Sequence, residues 1–247
     1  MNIVLIPARG GSKRVKDKNL QIIGEHSMVG HAVNVGLELE RRGLVDGVYV
    51  SSDSDSILLE ARKYGAKPVK RSDGYASSDS AGDRYVILDF LASDCYKDSM
   101  HNGEWFDELV YLRPTSPFRT VDQVEKAINR LRSMPFASAL RSIHEMSESA
   151  YKCHEISCGL LSCPFLCGSS GEIKYNIDMC NSPNQDYPKT YQPNGIVDII
   201  KCKTFASGML FGRNVIPFIT EPTIEIDTEF DLTIARLYQK TIEEKKQ

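Results

Sequence analysis

Met1-Asn-Ile-Val-Leu-Ile-Pro-Ala-Arg-Gly-Gly-Ser-Lys-Arg-Val-Lys-Asp-Lys-Asn-Leu20 is the stretch on which the reading of the fold turns. Its unbroken apolar run, Ile3 to Ile6, predicts a strand buried on both faces, the kind found in the middle of a parallel sheet. That strand empties into a loop with two glycines, a serine and five basic side chains between Arg9 and Lys18. Gly10 and Gly11 let backbone N–H groups approach an anion closely, and Arg9, Lys13 and Lys18 can compensate several negative charges together. A nucleoside triphosphate fits such a loop, and a solvated basic turn has the same composition. Neither the G-x-G-x-x-G fingerprint nor the glycine spacing of a P-loop is present, so the composition points to an anion without naming it.

Working outward, Ser27 predicts the cap of a helix carrying Val29, Val33, Leu37 and Leu39, which Gly43 ends. A second strand, Val48 to Val50, runs into Ser51-Ser52-Asp53 before a helix from Ile57 to Tyr64 that Gly65 terminates. Strand, loop and helix repeated in this order are the grammar of a parallel sheet with crossovers. Val69 begins a short third strand, followed by a polar segment from Arg71 to Asp83 and a helix around Tyr85 to Leu91. Leu109 to Leu112 forms another strand, and Arg113-Pro-Thr-Ser-Pro-Phe-Arg119 lies at its carboxyl end, where ligands bind in open α/β sheets. Thr120 and Gln123 make a capping box for the helix Val124 to Leu131.

Beyond Phe136 to Leu140, which is strand-like, the segment from Ser142 to Lys189 lacks sustained periodicity and reads as an excursion from the main sheet. The chain returns with Asn194-Gly195 as a turn and Ile196 to Ile200 as a strand. Near the end, alternation predicts Glu225 and Asp227 on one face of a short strand, an arrangement in which two carboxylates share a hard cation. Thr228 caps the last helix, with Asp231 as its third-position partner.

At 247 residues, with 41% hydrophobic and 26% charged residues, the chain can bury a substantial core. A net charge of -3 and a pI near 6.0 give no general attraction to nucleic acid or to an anionic membrane, so the basic loop is a local device. No apolar stretch approaches the roughly 18 residues of a membrane-spanning helix, and no leader precedes the first strand, so a cytoplasmic protein is expected. Of seven cysteines, five crowd into one region as Cys153, Cys158, Cys163, Cys167 and Cys180. The odd count predicts reduced thiols, and Cys158-x4-Cys163-x3-Cys167 lacks paired C-x2-C spacing, so free thiols are expected here in preference to structural zinc.

Pro7-Ala-Arg-Gly-Gly-Ser-Lys13 followed by Lys18-Asn19 resembles the opening signature of the CMP-sialic acid synthetase family of sugar-acid cytidylyltransferases. Further motifs match in order. Arg71-Ser-Asp-Gly-Tyr-Ala-Ser-Ser-Asp79 resembles the family's segment for cytosine and ribose. Leu112 to Arg119 resembles Leu-Gln-Pro-Thr-Ser-Pro-Leu-Arg, with Arg113 in place of glutamine. Glu148 to Lys152 resembles the segment whose lysine faces the acidic sugar. Gln192-Pro-Asn-Gly has glutamine where the family has arginine, and Glu225-Ile-Asp227 stands for Asp-Ile-Asp.

The resemblance implies an α/β fold, a three-layer sandwich with a mainly parallel, Rossmann-like nucleotidyltransferase sheet. It implies one cytidylyltransferase domain over residues 1–247, with 138–193 containing a small antiparallel excursion for dimerisation and the sugar site. The implied activity is transfer of CMP from CTP to the anomeric hydroxyl of an acidic nine-carbon sugar, with release of pyrophosphate. Arg9, Lys18 and Asp227 are the implied catalytic residues. Ala8, Arg9, Gly10, Ser12, Lys13, Lys18, Asn19, Arg71, Ser78 and Asp79 are implied for the nucleotide, and Arg113, Ser116, Lys152, Gln192 and Asn194 for the sugar. Glu225 and Asp227 are implied for Mg2+ or Mn2+, and the implied partners are CTP, an acidic sugar and a second copy of the chain, without nucleic acid or membrane. Two alternatives stand beside this reading. An enzyme of the same fold for another sugar, such as a Kdo cytidylyltransferase, would change the pockets, and a non-catalytic nucleotide-binding regulator would keep the loop without needing the two carboxylates.

Overall fold

The computed structural model describes residues 1–72, 82–98, 106–164 and 180–245. In chain order the strands are β1 (Asn2–Pro7), β2 (Ile22–Ile23), β3 (His26–Ser27), β4 (Gly47–Ser52), β5 (Lys67–Lys70), β6 (Glu108–Tyr111), β7 (Ala139–Glu145), β8 (Glu155–Ser157), β9 (Leu160–Ser162), β10 (Tyr191–Lys201) and β11 (Val215–Ile219). The helices are α1 (Met28–Arg41), α2 (Asp55–Tyr64), α3 (Asp83–Ala92), α4 (Asp94–Lys97), α5 (Val121–Arg132), α6 (Cys202–Ala206) and α7 (Glu229–Glu244). The main sheet runs in the order β11-β7-β10-β6-β1-β4-β5. β1 pairs in parallel with β4 and β6, β4 pairs in parallel with β5, and β10 runs antiparallel to β6.

The alternation of side chains along these strands builds the three layers. Val4 and Ile6 of β1 face one way with Val48, Val50 and Val110, and pack under Val29 and Val33 of α1, Ile57 and Ala61 of α2, and Val124 and Ile128 of α5. Ile3 and Leu5 face the other way with Tyr49, Leu109 and Tyr111, under Ile87 and Phe90 of α3, Tyr96 of α4 and Phe205 of α6. A central strand that is apolar on both sides is therefore covered by helices on both sides, as the run Ile3 to Ile6 demands.

Local signals set the helix ends. Ser27 accepts a hydrogen bond from the Gly30 amide at 3.1 Å and starts α1. Gly65 ends α2 at φ 102°, a left-handed conformation that a side chain would resist. Thr120 with Gln123 and Thr228 with Asp231 form full capping boxes on α5 and α7. α7 buries Leu232 and Ala235 against Val15, Ile23, Met28 and Ile226, so the last helix fastens the opening loop from beneath.

The chain forms two compact units. The first comprises Met1–Ser142, Asn194–Phe218 and Thr223–Gln247, and the second Ile143–Pro193 and Ile219–Pro222. The second unit holds the β8–β9 hairpin, in which Glu155 pairs with Ser162 and Ser157 with Leu160. It also holds a disulfide between Cys163 and Cys180, which corrects the expectation of reduced thiols for this pair. The hairpin and the returning chain bring the two sulfurs together across 17 residues and bury both, an approach that cysteine counting does not reveal. No helix among the described residues is long and apolar enough to cross a membrane.

Candidate active site

β1, β4 and β6 are adjacent and parallel, so the loops leaving their carboxyl ends emerge side by side. The loop after β1 carries Arg9 to Lys18, β4 leads to Asp53, β5 ends at Arg71, and β6 leads into Arg113 to Arg119. All belong to the first unit.

The basic loop is held at several points. Val15 is fully buried in the cluster under α7. The Asn19 side-chain amide donates to the Arg9 carbonyl at 2.8 Å, and the Gly10 amide donates to Asp53 Oδ1 at 2.7 Å. Gly11, at φ 60°, turns the chain where an L side chain would be strained. Lys18 donates to Asp227 Oδ1 at 2.9 Å, tying the loop to the chain's other end. Two clefts result, and Arg9 and Lys18 line both. One, of about 210 Å3, is completed by Asn19, Arg71, Asp83, Tyr111, Arg113 and Thr115. The other, of about 330 Å3, is completed by Gly10, Gly11, Ser12, Asp53 and Ser54.

The floor of the first cleft is a buried charge network. Arg113 donates to Asp198 Oδ2 at 2.7 Å and to Asp83 Oδ2 at 2.6 Å, and its guanidinium stacks on the Tyr111 ring at 5.0 Å. The Tyr111 hydroxyl donates to the other oxygen of Asp83 at 3.0 Å. Burial works against the charge of Arg113, but Asp198 and Asp83 outweigh it and raise its pKa above the usual arginine value. Asp198 is fully buried, and that burial raises its pKa against the pull of Arg113 and Arg141. Arg71 is also buried, donating from Nε to Ser51 Oγ at 3.1 Å, and its pKa is lowered by that burial.

The Arg113–Arg119 loop closes around Glu225. Arg119 donates to the carbonyls of Arg113 and of Gly195, the latter at 2.8 Å. Burial first, and the charge of Arg113 second, lower its pKa to about 9. Ser116 donates to Glu225 Oε1 at 3.3 Å, and the Ile226 amide donates to the Thr115 carbonyl at 2.9 Å. Gly195 leaves room beneath them, since a β-carbon there would clash with Ser116 Oγ and Glu225 Oε1.

Several expected roles change. The Ala8 side chain is in the core and its amide donates to the Ser51 carbonyl at 2.9 Å, so it offers neither to a nucleotide. The Gly10 amide is occupied by Asp53, and Asn19, buried, positions the Arg9 carbonyl. Ser12 lines the second cleft, whereas Lys13 is exposed and lines neither. Arg113 lines the first cleft, where two carboxylates match its charge and it organises the floor.

No strand forms at Glu225 to Asp227. The extended chain still alternates about fully buried Ile226, and the two carboxylates take different partners, Ser116 and Lys18. Asn194 is buried within β10, where the expected turn is replaced by continuous strand, and its carbonyl accepts from Ser142 at 3.0 Å. Ser78 and Asp79 lie outside the described residues.

In the second unit, Lys152 pairs with Glu148 at 2.9 Å, and Gln192 lines a cleft of about 610 Å3 with His144, Glu145, Glu148 and Asn184. Lys152 does not line that cleft.

Sequence reasoning missed Asp53, Asp83 and Asp198. Asp198 carried a readable signal, because an aspartate inside the apolar run Ile196 to Ile200 must find a cation when buried.

Comparison with known proteins agrees with this geometry. The profile of the cytidylyltransferase family matches residues 3–155, more than half of the chain. A Campylobacter coli post-translational flagellin modification protein B is 25% identical, covering 95% of this chain and 93% of its own. A pseudaminic acid cytidylyltransferase of Campylobacter jejuni is 24% identical over 97% of this chain and 96% of its own. An N-acylneuraminate cytidylyltransferase of Oncorhynchus mykiss is 25% identical over 94% of this chain, which spans only 48% of that relative's length. Among solved structures, a CMP:2-keto-3-deoxy-manno-octonic acid synthetase complexed with CTP superposes with a TM-score of 0.67 at 15% identity, covering 97% of this chain and 98% of the other. With the basic loop at the parallel strand ends and the profile spanning most of the first unit's sheet, the chain belongs to the cytidylyltransferase family and is a nucleotidyltransferase.

Proposed function

We propose that this enzyme transfers CMP from CTP to the anomeric hydroxyl of an acidic nine-carbon sugar and releases pyrophosphate. The observation that carries the proposal is the pair Arg9 and Lys18, shared by two adjoining clefts at the sheet's carboxyl edge, with Lys18 tied to Asp227. In this reading the sugar oxygen bonds to the α-phosphorus as the bond to pyrophosphate breaks, and charge grows on the phosphoryl oxygens. Fixed cations that need no rearrangement lower the barrier to such a step. Arg9 and Lys18 lie against the phosphates, and Arg71, at the far side of the first cleft, lies toward the base. The acidic sugar is supported by near full-length similarity to a relative named for pseudaminic acid, and by similarity to an enzyme named for N-acylneuraminate.

The donor set beside Lys18 suits a hard divalent cation. Asp227 gives one oxygen to Lys18 and its side chain is 49% exposed, while Glu225 stands one residue away across Ile226. These two residues would hold magnesium or manganese, which when bound adds positive charge against the triphosphate. Asp227→Asn keeps the size of the side chain and one oxygen to accept from Lys18, and removes its charge. It is expected to lower turnover about 100-fold or more with the fold intact and with little rescue by excess metal. Unchanged turnover would take Asp227 out of the site. The homodimer implied by the sequence resemblance belongs to the same proposal.

The test of the reaction is a grid of nucleoside triphosphates against sialic, pseudaminic, legionaminic and Kdo sugars, followed by pyrophosphate release. CTP with one of the nine-carbon acids is expected to be the productive pair. Equal turnover of all four triphosphates would overturn the assignment, and turnover confined to Kdo would move it to the eight-carbon acids.

A further inference from the structure

Among its described residues the second unit has little apolar interior to hold it in shape. None of the three hydrophobic clusters among the described residues draws a side chain from Ile143–Pro193 or Ile219–Pro222. The apolar residues of its hairpin face outward, with Ile156 77%, Leu160 73% and Leu161 50% exposed. A small unit with so little interior among its described residues is commonly held by cross-links or by metal.

What the unit does bury is a pair of sulfurs, with an exposed imidazole beside them. Cys163 and Cys180 are 0% and 4% exposed, and one ring nitrogen of His154 lies with both sulfurs inside a group whose atoms are all within 4.8 Å of one another. The hairpin explains the convergence. His154 precedes β8 and Cys163 follows β9, one position beyond the Glu155–Ser162 pair, so both project from the open end of the ladder. Cys158 and Gly159, both at positive φ, turn the far end. Cys180 then arrives from the returning chain.

We propose that His154, Cys163 and Cys180 bind zinc and so cross-link this unit, with His154 on the exposed side and solvent in the fourth position. A disulfide engages two of the three groups and gives the imidazole no part, whereas one nitrogen and two thiolates are a set that selects zinc. The two states share the same sulfurs. A phosphine or dithiol reductant delivers two electrons to the S–S bond, with two protons to give the thiols, and zinc then displaces both protons. Ligand and sequence spacing differ from a paired C-x2-C knuckle because the hairpin, not a tight turn, brings the donors together.

The full chain, purified from zinc-supplemented cells with a phosphine reductant present and passed over a weak chelator, is expected to retain about one zinc per chain by mass spectrometry of the metal. Cys163→Ser and Cys180→Ser should lower that at least tenfold, His154→Ala should weaken zinc about tenfold against a chelating dye, and Cys202→Ser, in the first unit, should leave it unchanged. Cobalt replacing zinc should show thiolate charge-transfer absorption, and chelation should open residues 143–193 to protease. If the variants fail to fold, the wild-type chain still decides. Absence of zinc and of a thiolate–cobalt band in reduced protein overturns the site, as does full zinc retention in Cys163→Ser.

Discussion

Replacing Arg9 or Lys18 by alanine is expected to lower kcat by about 10²- to 10³-fold, the loss that follows removal of one preorganised donor from a site where charge develops. Both side chains line the two clefts, and Lys18 is held at 2.9 Å from Asp227, so Lys18 need not be ordered at the moment of reaction. The Lys18 side chain is 14% exposed, and the partner it would abandon is 49% exposed, so water can take its place at Asp227 and stability should change little. Single-turnover rates with saturating substrates, set beside denaturation midpoints, separate the two effects. Full activity in both variants would show that the opening loop is not where the phosphates lie.

Arg113→Ala is expected to act mainly on the fold, by about 3 to 5 kcal/mol, because it strips a buried carboxylate of its closest cation. Asp198 is fully buried, bonded to Arg113 at 2.7 Å, and left otherwise with Arg141 at 3.5 Å. The sign of the pH dependence follows from the raised pKa of Asp198. Between the ordinary carboxylate value and the raised one, the folded state binds more protons than the unfolded state, so stability falls as pH rises through that window. Losing Arg113 removes the main influence opposing that rise and should steepen the fall. Urea denaturation across mildly acidic to neutral pH measures both, and Arg113→Ala with Asp198→Asn should recover much of the loss. A loss below about 1 kcal/mol that does not vary with pH would mean the network is not what holds the floor together.

The sequence by itself determined the features that depend on neighbours a few residues away. The unbroken apolar run Ile3 to Ile6 predicted a strand covered on both faces, and Val4 and Ile6 do pack against one helical layer while Ile3 and Leu5 pack against the other. The capping boxes at Thr120 and Thr228 were equally legible, because each is closed by a residue three positions on. The basic loop could be placed at a strand's carboxyl end for the same reason. Only the tertiary structure decided which charges neutralise one another. Lys18 meets Asp227 across 209 residues, Arg113 meets Asp198 across 85, and the amides of Ala8 and Gly10 are taken by Ser51 and Asp53. Such pairings depend on the order and register of the strands, which no local periodicity encodes. A carboxylate two residues from another can be read as half of a shared metal site, yet whether it faces its neighbour, a lysine or a serine is set by elements that the chain brings there from far away.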